Sequence, residues 1–338
     1  MNQTPLISAI LCTYDRAPLL RQTLGALGAQ TLGPERFEVV LIDDGSSDET
    51  AQVAATFAPM LDLRYVHQPN SGLAAAKNHG VCLARAPIVV FLDDDDVLDS
   101  RALEQHWLSH QRYPQTEVAV LGYTGLAHGP SRSPLMRYVT GVGCQLFYYP
   151  SLKDGQELDF SFFWGGRSSC KRALLLEHGL FDPVFRFGAE DIELAFRLRE
   201  AGLRVRYNAQ AISTMIRTLS VDDFARRCVL QGRSNWVFYQ RHPHRLVRAW
   251  AQIDGVESEW TRIAPYYARL LDSACGLDRW ANARVEQGLA LDPLATRLLH
   301  RAYAALFRAS RLKGTVERMR EDDCSAATVQ GSDALGCV

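Results

Sequence analysis

Four consecutive aspartates, Asp93-Asp94-Asp95-Asp96, follow directly on the apolar run Ile88–Leu92. Two earlier apolar runs also end in polar groups that suit a ligand, at Thr13-Tyr14-Asp15-Arg16 and at Asp43-Asp44-Gly45. Carboxylates gathered at one edge repel unless a cation or hydrogen-bond donors stand among them. An aspartate at a strand end often only caps the next helix, which suits Asp15 and Asp48 but not four in a row. The cluster is therefore read as a cation site. Its hard oxygen donors point to Mg²⁺ or Mn²⁺ rather than zinc. Such an ion completes its shell with water and phosphate oxygens, so a phosphate-containing substrate is expected. Neither G-x-x-x-x-G-K-[ST] nor G-x-G-x-x-G occurs, which sets aside an NTPase and a nicotinamide dehydrogenase. Glu190-Asp191 opens a helical pattern after Phe187-Gly188-Ala189. A helix N-terminus favours the ionised carboxylate that a general base needs, although routine acid capping gives the same pattern. Lys77, one turn into a helix after Gly72, is either an exposed helix lysine or a contact to a diphosphate or base.

These residues must be positioned by the elements around them. The apolar runs at 6–13, 37–43, 61–68, 88–92 and 118–123 read as buried strands. Helical patterns lie between them. Asp15 is expected to cap the first, with Pro18 in its first turn, and Ser46 and Glu49 have capping-box spacing for the second. Alternation at this spacing implies parallel strands with right-handed crossovers. In open sheets of that kind, ligands bind outside the carboxyl ends of the strands, where the acids stand. Residues 124–166 show no clean period and read as loops and short strands near a site. A helix is expected at 171–178, another at 190–201 closed by Gly202, then a short strand at 203–208. Ser220 and Asp223 open a further helix to about 239. Residues 245–320 are mostly helical in pattern, and 321–338 read as a flexible polar tail.

The 338 residues carry 37 Lys plus Arg against 38 Asp plus Glu, a balance that argues against a nucleic-acid binder. The chain is 47% hydrophobic, which excludes disorder for its bulk. No run approaches the ~18 apolar residues of a bilayer span, and Met1–Pro5 lacks the basic start of a signal peptide. The eight cysteines form no CxxC pair and read as reduced thiols of a cytoplasmic protein.

Together these residues resemble family 2 inverting glycosyltransferases of the GT-A fold, over about residues 6–240. Ile10–Ala17 is similar to that family's opening strand and turn, and Val39–Asp48 to its second strand and acidic turn. Asn70-Ser71-Gly72-Leu73-Ala74-Ala75-Ala76-Lys77-Asn78 resembles its basic helix motif. Phe91–Asp96 resembles its DxD motif, and Gly188–Leu194 its late ED motif. The resemblance implies an α/β, Rossmann-like, mostly parallel sheet with flanking helices over 1–240, followed by a C-terminal helical region at 245–320. It implies a nucleotide-sugar donor, UDP most often, and a glycan or lipid-linked acceptor. Thr13, Tyr14, Asp15, Asp43, Lys77, Asp93 and Asp94 would line the nucleotide site. Asp95 and Asp93 would hold Mn²⁺ or Mg²⁺ on the diphosphate. Asp191 would be the catalytic base, with Glu190 helping to place the acceptor against Trp164, Gly165 and Gly166. The chain departs from the family at one point: many members carry a metal-binding His after the strand that follows the ED helix, and residues 208–220 contain none. Arg217, the only cation there, is expected to offset diphosphate charge instead.

Two other classes compete. Val89–Val97 also fits a strand followed by D-x-D-x-[TV], as in haloacid-dehalogenase-like phosphohydrolases, with Asp93 as nucleophile and Asp95 as acid/base. The missing His suggests a non-catalytic nucleotide- or glycan-binding module on the same fold. Arg297, Arg301, Arg308, Arg311, Lys313, Arg318 and Arg320 stand against Glu317 in an amphipathic pattern. This stretch is either a packed helix with a solvated basic face or a peripheral contact to the inner face of an anionic membrane.

Overall fold

The computed structural model describes residues 4–127 and 133–333, with side chains as far as Cys324. In chain order the elements are β1 (Ile7–Thr13), α1 (Ala17–Gly28), β2 (Phe37–Asp43), α2 (Thr50–Phe57), β3 (Leu63–His67) and α3 (Leu73–Leu83). There follow β4 (Ile88–Asp93), β5 (Asp96–Leu98), α4 (Ala102–Arg112), β6 (Val118–Leu126) and the short α5 (Pro134–Arg137). Next come β7 (Glu157–Leu158), β8 (Ser168–Lys171), α6 (Arg172–His178), α7 (Glu190–Leu198) and β9 (Arg204–Met215). The chain ends in α8 (Val221–Arg241), α9 (Arg245–Ala251), α10 (Val256–Ile263), α11 (Tyr267–Glu286) and α12 (Pro293–Asp333). It divides into two compact units, residues 1–132 with 139–218, and residues 133–138 with 219–338. The division falls near 218 rather than 240, because α8 packs along α12.

The first unit is a mixed sheet in the order β3-β2-β1-β4-β8-β6-β9-β5, with β7 beside β9. β3, β2, β1 and β4 run parallel, as do β6 and β9, whereas β8, β5 and β7 pair antiparallel with their neighbours. The central strands are buried on both faces, so their residues read as continuous apolar runs. Successive side chains serve opposite layers. Ile7, Ala9 and Leu11 of β1 pack with Leu20, Leu24 and Leu27 of α1 and Leu103 of α4. Ile10 packs instead with Ala74 and Val81 of α3, Leu174 of α6 and Leu194 of α7.

Several features differ from the expected elements. β5 and β8 were not legible as strands, and β9 runs to Met215 rather than ending at Asn208. A bulge between Gly122 and Tyr123 lets β6 follow it. Asp15 does not cap α1: it lies in the left-handed region at φ 49°, and Ala17 N–H donates to Asp48 at 2.9 Å. The Ser46–Glu49 box does not form, since Thr50 N–H donates to Asp48 instead. The Ser220–Asp223 box does form at the start of α8.

α4 carries a buried polar pair. His106 Nδ1 and His110 Nε2 stand 2.8 and 2.9 Å from the same Ser169 hydroxyl of β8. Both rings are buried. Burial pushes the His106 imidazole down to about 4, and His110 well below its usual value. One hydroxyl proton can serve only one ring. His110 Nδ1 has no partner, so the arrangement with fewest unmet donors has His110 Nε2–H donating to Ser169, which donates to His106 Nδ1.

In the second unit α8 and α12 touch at glycines. A Cβ on Gly232 would lie 2.0 Å from the Arg311 carbonyl oxygen, and one on Gly314 1.9 Å from that of Val229. Phe224 packs edge-on against Phe307, which stacks on Tyr303. The helix α12 continues to Asp333, past the expected start of a tail at 321. Several of its basic residues have internal partners: Arg308 grips Glu259 through two bonds at 2.9 and 2.6 Å, and Arg318 meets Asp322 at 2.9 Å. No helix among the described residues is long and apolar enough to cross a membrane.

Candidate functional site

The carboxyl ends of β1, β2 and β4 adjoin one another, because these strands are neighbours in register: Thr13 pairs with Asp43 and Cys12 with Asp93. The loops beyond them are tied by carboxylates. Thr13 Oγ1 donates to Asp94 at 2.7 Å, and Arg16 donates to the other Asp94 oxygen at 2.8 Å. Asp15 accepts Ser47 N–H at 2.7 Å. Asp43 accepts Ser46 N–H and the Tyr65 hydroxyl at 2.8 and 2.7 Å, with His67 at 3.2 Å. Burial alone would raise the Asp43 carboxyl, but these bonds outweigh it and hold it below the ordinary range. Asp44 accepts Gln68, Ser71 N–H and Gly72 N–H. Tyr14, by contrast, is half exposed.

The four aspartates have different surroundings. Asp93, at the end of β4, is part exposed and meets Arg167 at 2.8 Å. Asp94 is saturated by Thr13 and Arg16. Asp95 has arginines only at a distance, Arg16 and Arg217 both at 3.8 Å. Burial, then the charges of Asp93, Asp96 and Asp94, push its carboxyl up to about 7. Asp96 is fully buried; one oxygen accepts Ser213 at 3.0 Å and Thr124 at 3.3 Å, and the other has no partner. Burial raises it to about 6 against the pull of Arg167. Arg167 lies over the Phe147 ring at 4.5 Å and also donates to Thr124.

Among the described residues no three His, Cys, Asp or Glu side chains converge as a ready metal cage. Asp93 and Asp95 nonetheless fit a hard divalent ion completed by phosphate oxygens. Their donors are all oxygen, and the Asp95 carboxylate stands 3.8 Å from the arginine nitrogens nearest it.

A second group is joined to this one by Gly165-Gly166. Asp93 N–H donates to the Gly166 carbonyl at 3.3 Å, and Gly165 N–H donates to Asp191 Oδ2 at 2.8 Å. Ile192 N–H donates to Asp191 Oδ1, also at 2.8 Å. A Cβ on Gly166 would fall 2.0 Å from Asp93 Oδ2, so a side chain there would displace the Asp93 carboxylate. Burial and Glu190 raise the Asp191 carboxyl to about 6, opposed by Lys77. Lys77 Nζ is itself buried, 3.0 Å from Glu190 Oε1. Trp164 donates through Nε1 to the Ser161 carbonyl and packs against Tyr149 and Phe162.

The first unit thus brings together the acidic strand ends, Arg217 and the Gly165–Asp191 segment. Sequence reasoning gave no role to Arg16 or Arg167. Arg167 follows Gly165-Gly166 directly, but the chain does not show that it reaches back to Asp93 and Asp96.

The sequence profile of Glycosyl transferase family 2 matches residues 8–177. Validoxylamine A glucosyltransferase of Streptomyces hygroscopicus subsp. limoneus is 34% identical over 225 residues, covering 60% of this chain and 49% of that protein. The PGL/p-HBAD biosynthesis glycosyltransferase of Mycobacterium bovis is 40% identical over 96 residues, covering 28% of this chain and 37% of that one. The chain spans about half the length of the first of these relatives. Among solved structures, S. aureus TarS matches with a TM-score of 0.54 at 17% identity, covering 92% of this chain and 91% of that one. The mannosyltransferase PcManGT from Pyrobaculum calidifontis, in complex with GDP-Man and Mn²⁺, matches at 0.55 and 20% identity, covering 94% and 88%. These likenesses show the GT-A fold, a mostly parallel mixed sheet with flanking helices, with a C-terminal helical region.

Proposed function

Because the chain belongs to glycosyl transferase family 2, we propose that it moves a sugar from a nucleoside-diphosphate sugar to a hydroxyl of a glycan or lipid-linked acceptor. The observation that carries this reading is the Asp191 carboxylate, held by two backbone N–H groups and tied through Gly165-Gly166 to the aspartate cluster. The acceptor oxygen attacks the anomeric carbon while Asp191 takes its proton, and the bond from that carbon to the diphosphate oxygen breaks. The electron pair leaves with the nucleoside diphosphate. One displacement inverts the anomeric centre and needs no enzyme nucleophile. Asp93 and Asp95 would hold a divalent cation, Mg²⁺ or Mn²⁺, which when bound supplies positive charge to the leaving diphosphate. Arg217, beside Asp95, stands where it adds to that charge.

The geometry refines the expected roles. Tyr14 is exposed enough to lie against a nucleobase. Thr13, Asp15, Asp43 and Asp94 spend their polar atoms on the loops, so they shape the nucleotide pocket. Trp164 forms an acceptor wall beside Gly165. A UDP donor is favoured by the TarS complexes with UDP and UDP-GlcNAc, while PcManGT was solved with GDP-Man. Family membership leaves the phosphohydrolase alternative without support.

The test is thermal melting with UDP, GDP, dTDP and CMP, each with and without Mn²⁺, followed by turnover of the matching nucleotide sugars. A ligand at ~100 times its Kd adds about 2.7 kcal/mol, which a melt detects. Asp191→Asn is expected to cut transfer by about 10²–10⁴-fold while nucleotide affinity stays within about threefold. No melting shift with any nucleotide, together with no turnover, overturns the proposal.

A further inference from the structure

Lys77 sits where a donor-binding lysine should not. Its ammonium is buried, 4% exposed for the residue, and reaches Glu190 Oε1 at 3.0 Å. It lies over the Phe181 ring at 5.2 Å. A Cβ on Gly165 would come within 2.4 Å of Nζ and 3.2 Å of Asp191 Cβ. The ammonium therefore packs against the backbone of the residue whose N–H holds Asp191. Glu190 Oε2 has no partner at all, although it is buried.

Two adjacent carboxylates on the first turn of α7 would compete for charge in such a place. Burial, and then the charge of Glu190, push the Asp191 carboxyl up. A protonated Asp191 cannot accept a proton from an acceptor hydroxyl. The charge facing the pair is Lys77 from α3, which in turn faces Asp93 of β4 and the neutral Cys12 thiol of β1. Lys77 is the cation among them. Burial alone would lower the Lys77 ammonium, but Glu190, Asp191 and Asp93 outweigh that and hold it charged.

We propose that Lys77 is a positioning residue of the transfer reaction: paired with Glu190 and seated on Gly165, it keeps Asp191 ionised and aimed, and does not touch the donor. This rests on the reading of Asp191 as the base. It differs from a nucleotide contact in what a substitution moves.

The experiment compares wild type, Lys77→Met, Glu190→Gln and the double variant. Three quantities are measured: the pH dependence of kcat/KM with the turned-over nucleotide sugar, UDP affinity by calorimetry, and the melting temperature. Lys77→Met is expected to move the acidic limb of the profile up by about one pH unit, an about tenfold loss below it. Glu190→Gln, which removes the repelling charge, is expected to move the limb down. UDP affinity is expected to stay within about twofold in both, and the double variant to lie between them. Should Lys77→Met not fold, Lys77→Gln, which keeps a polar head in the same space, carries the test with the same upward shift expected. A limb that stays in place in both variants of an active enzyme overturns the proposal alone. So does an about tenfold loss of UDP affinity in Lys77→Met with the limb unmoved. A wild type that binds UDP but turns over no nucleotide sugar overturns the transfer reading, and this proposal with it.

Discussion

Acidification should withdraw stability from this protein at one buried pair of rings. His106 is 4% exposed and its imidazole is pushed down to about 4, against an ordinary value of 6.5. A group whose folded value is depressed in this way stays neutral in the native state while the unfolded chain takes up a proton. Stability from it is complete above pH 6.5 and drains away as pH falls toward 4. At pH 5 the loss is about 2 kcal/mol, approaching about 3.4 kcal/mol below pH 4. Asp95, Asp96 and Asp191 work in the opposite sense. Their folded values are raised, so the native state binds more protons than the unfolded chain and gains stability as pH falls from 7. The histidine contribution is isolated by His106→Asn, whose Oδ1 can still accept from Ser169. Its lost volume costs the same at every pH, and the carboxylate contributions are shared with the wild type. Urea unfolding at pH 7.5, 6 and 5 is the assay. The wild type is expected to lose about 2 kcal/mol more than the variant over that range. Parallel loss in the two proteins would refute the assignment of the neutral ring. The result also fixes how far down in pH a kinetic titration of Asp191 can be followed.

Other outcomes follow from the same geometry. Asp95→Asn is expected to raise the melting temperature at pH 8 in chelator, since it removes a buried repelling charge, and to weaken any Mn²⁺-dependent activity. Arg217→Ala is expected to weaken UDP binding measured by calorimetry, because it stands 3.8 Å from Asp95; unchanged affinity and turnover would remove it from the diphosphate site. Gly314→Ala should cost about 1–3 kcal/mol in thermal unfolding, as its Cβ would meet the Val229 carbonyl oxygen at 1.9 Å.

The central parallel strands were legible because both of their faces are buried, which leaves the apolar runs Ala9–Leu11, Val39–Ile42 and Ile88–Leu92. β8 was hidden because Ser168 and Ser169 look polar, although both are fully buried. β5 is three residues long and begins at Asp96, which reads as part of the acidic run. The acids themselves were legible as a cluster, but not their division of labour. Asp94 and Asp95 are adjacent in the chain, yet Thr13 and Arg16 bond both oxygens of the first and leave the second with arginines only at 3.8 Å. That difference is set by residues about eighty positions away. Lys77 was open to either reading for the same reason: its partner Glu190 lies 113 positions further on.

The carboxylates that stitch the strand ends bear on how this scaffold can be re-engineered. Asp48 serves the first turn of α1, Asp15 serves the loop after β2, and Asp44 serves the loop after β3. The loops after β1 and β2 exchange acceptors, and the loop after β3 takes its own from Asp44. Grafting one of them alone would leave a carboxylate without its donor on one side and a bare N–H on the other. The loops at this edge therefore form a set whose conformations depend on one another, and exchanging one alone disturbs the geometry of its neighbours.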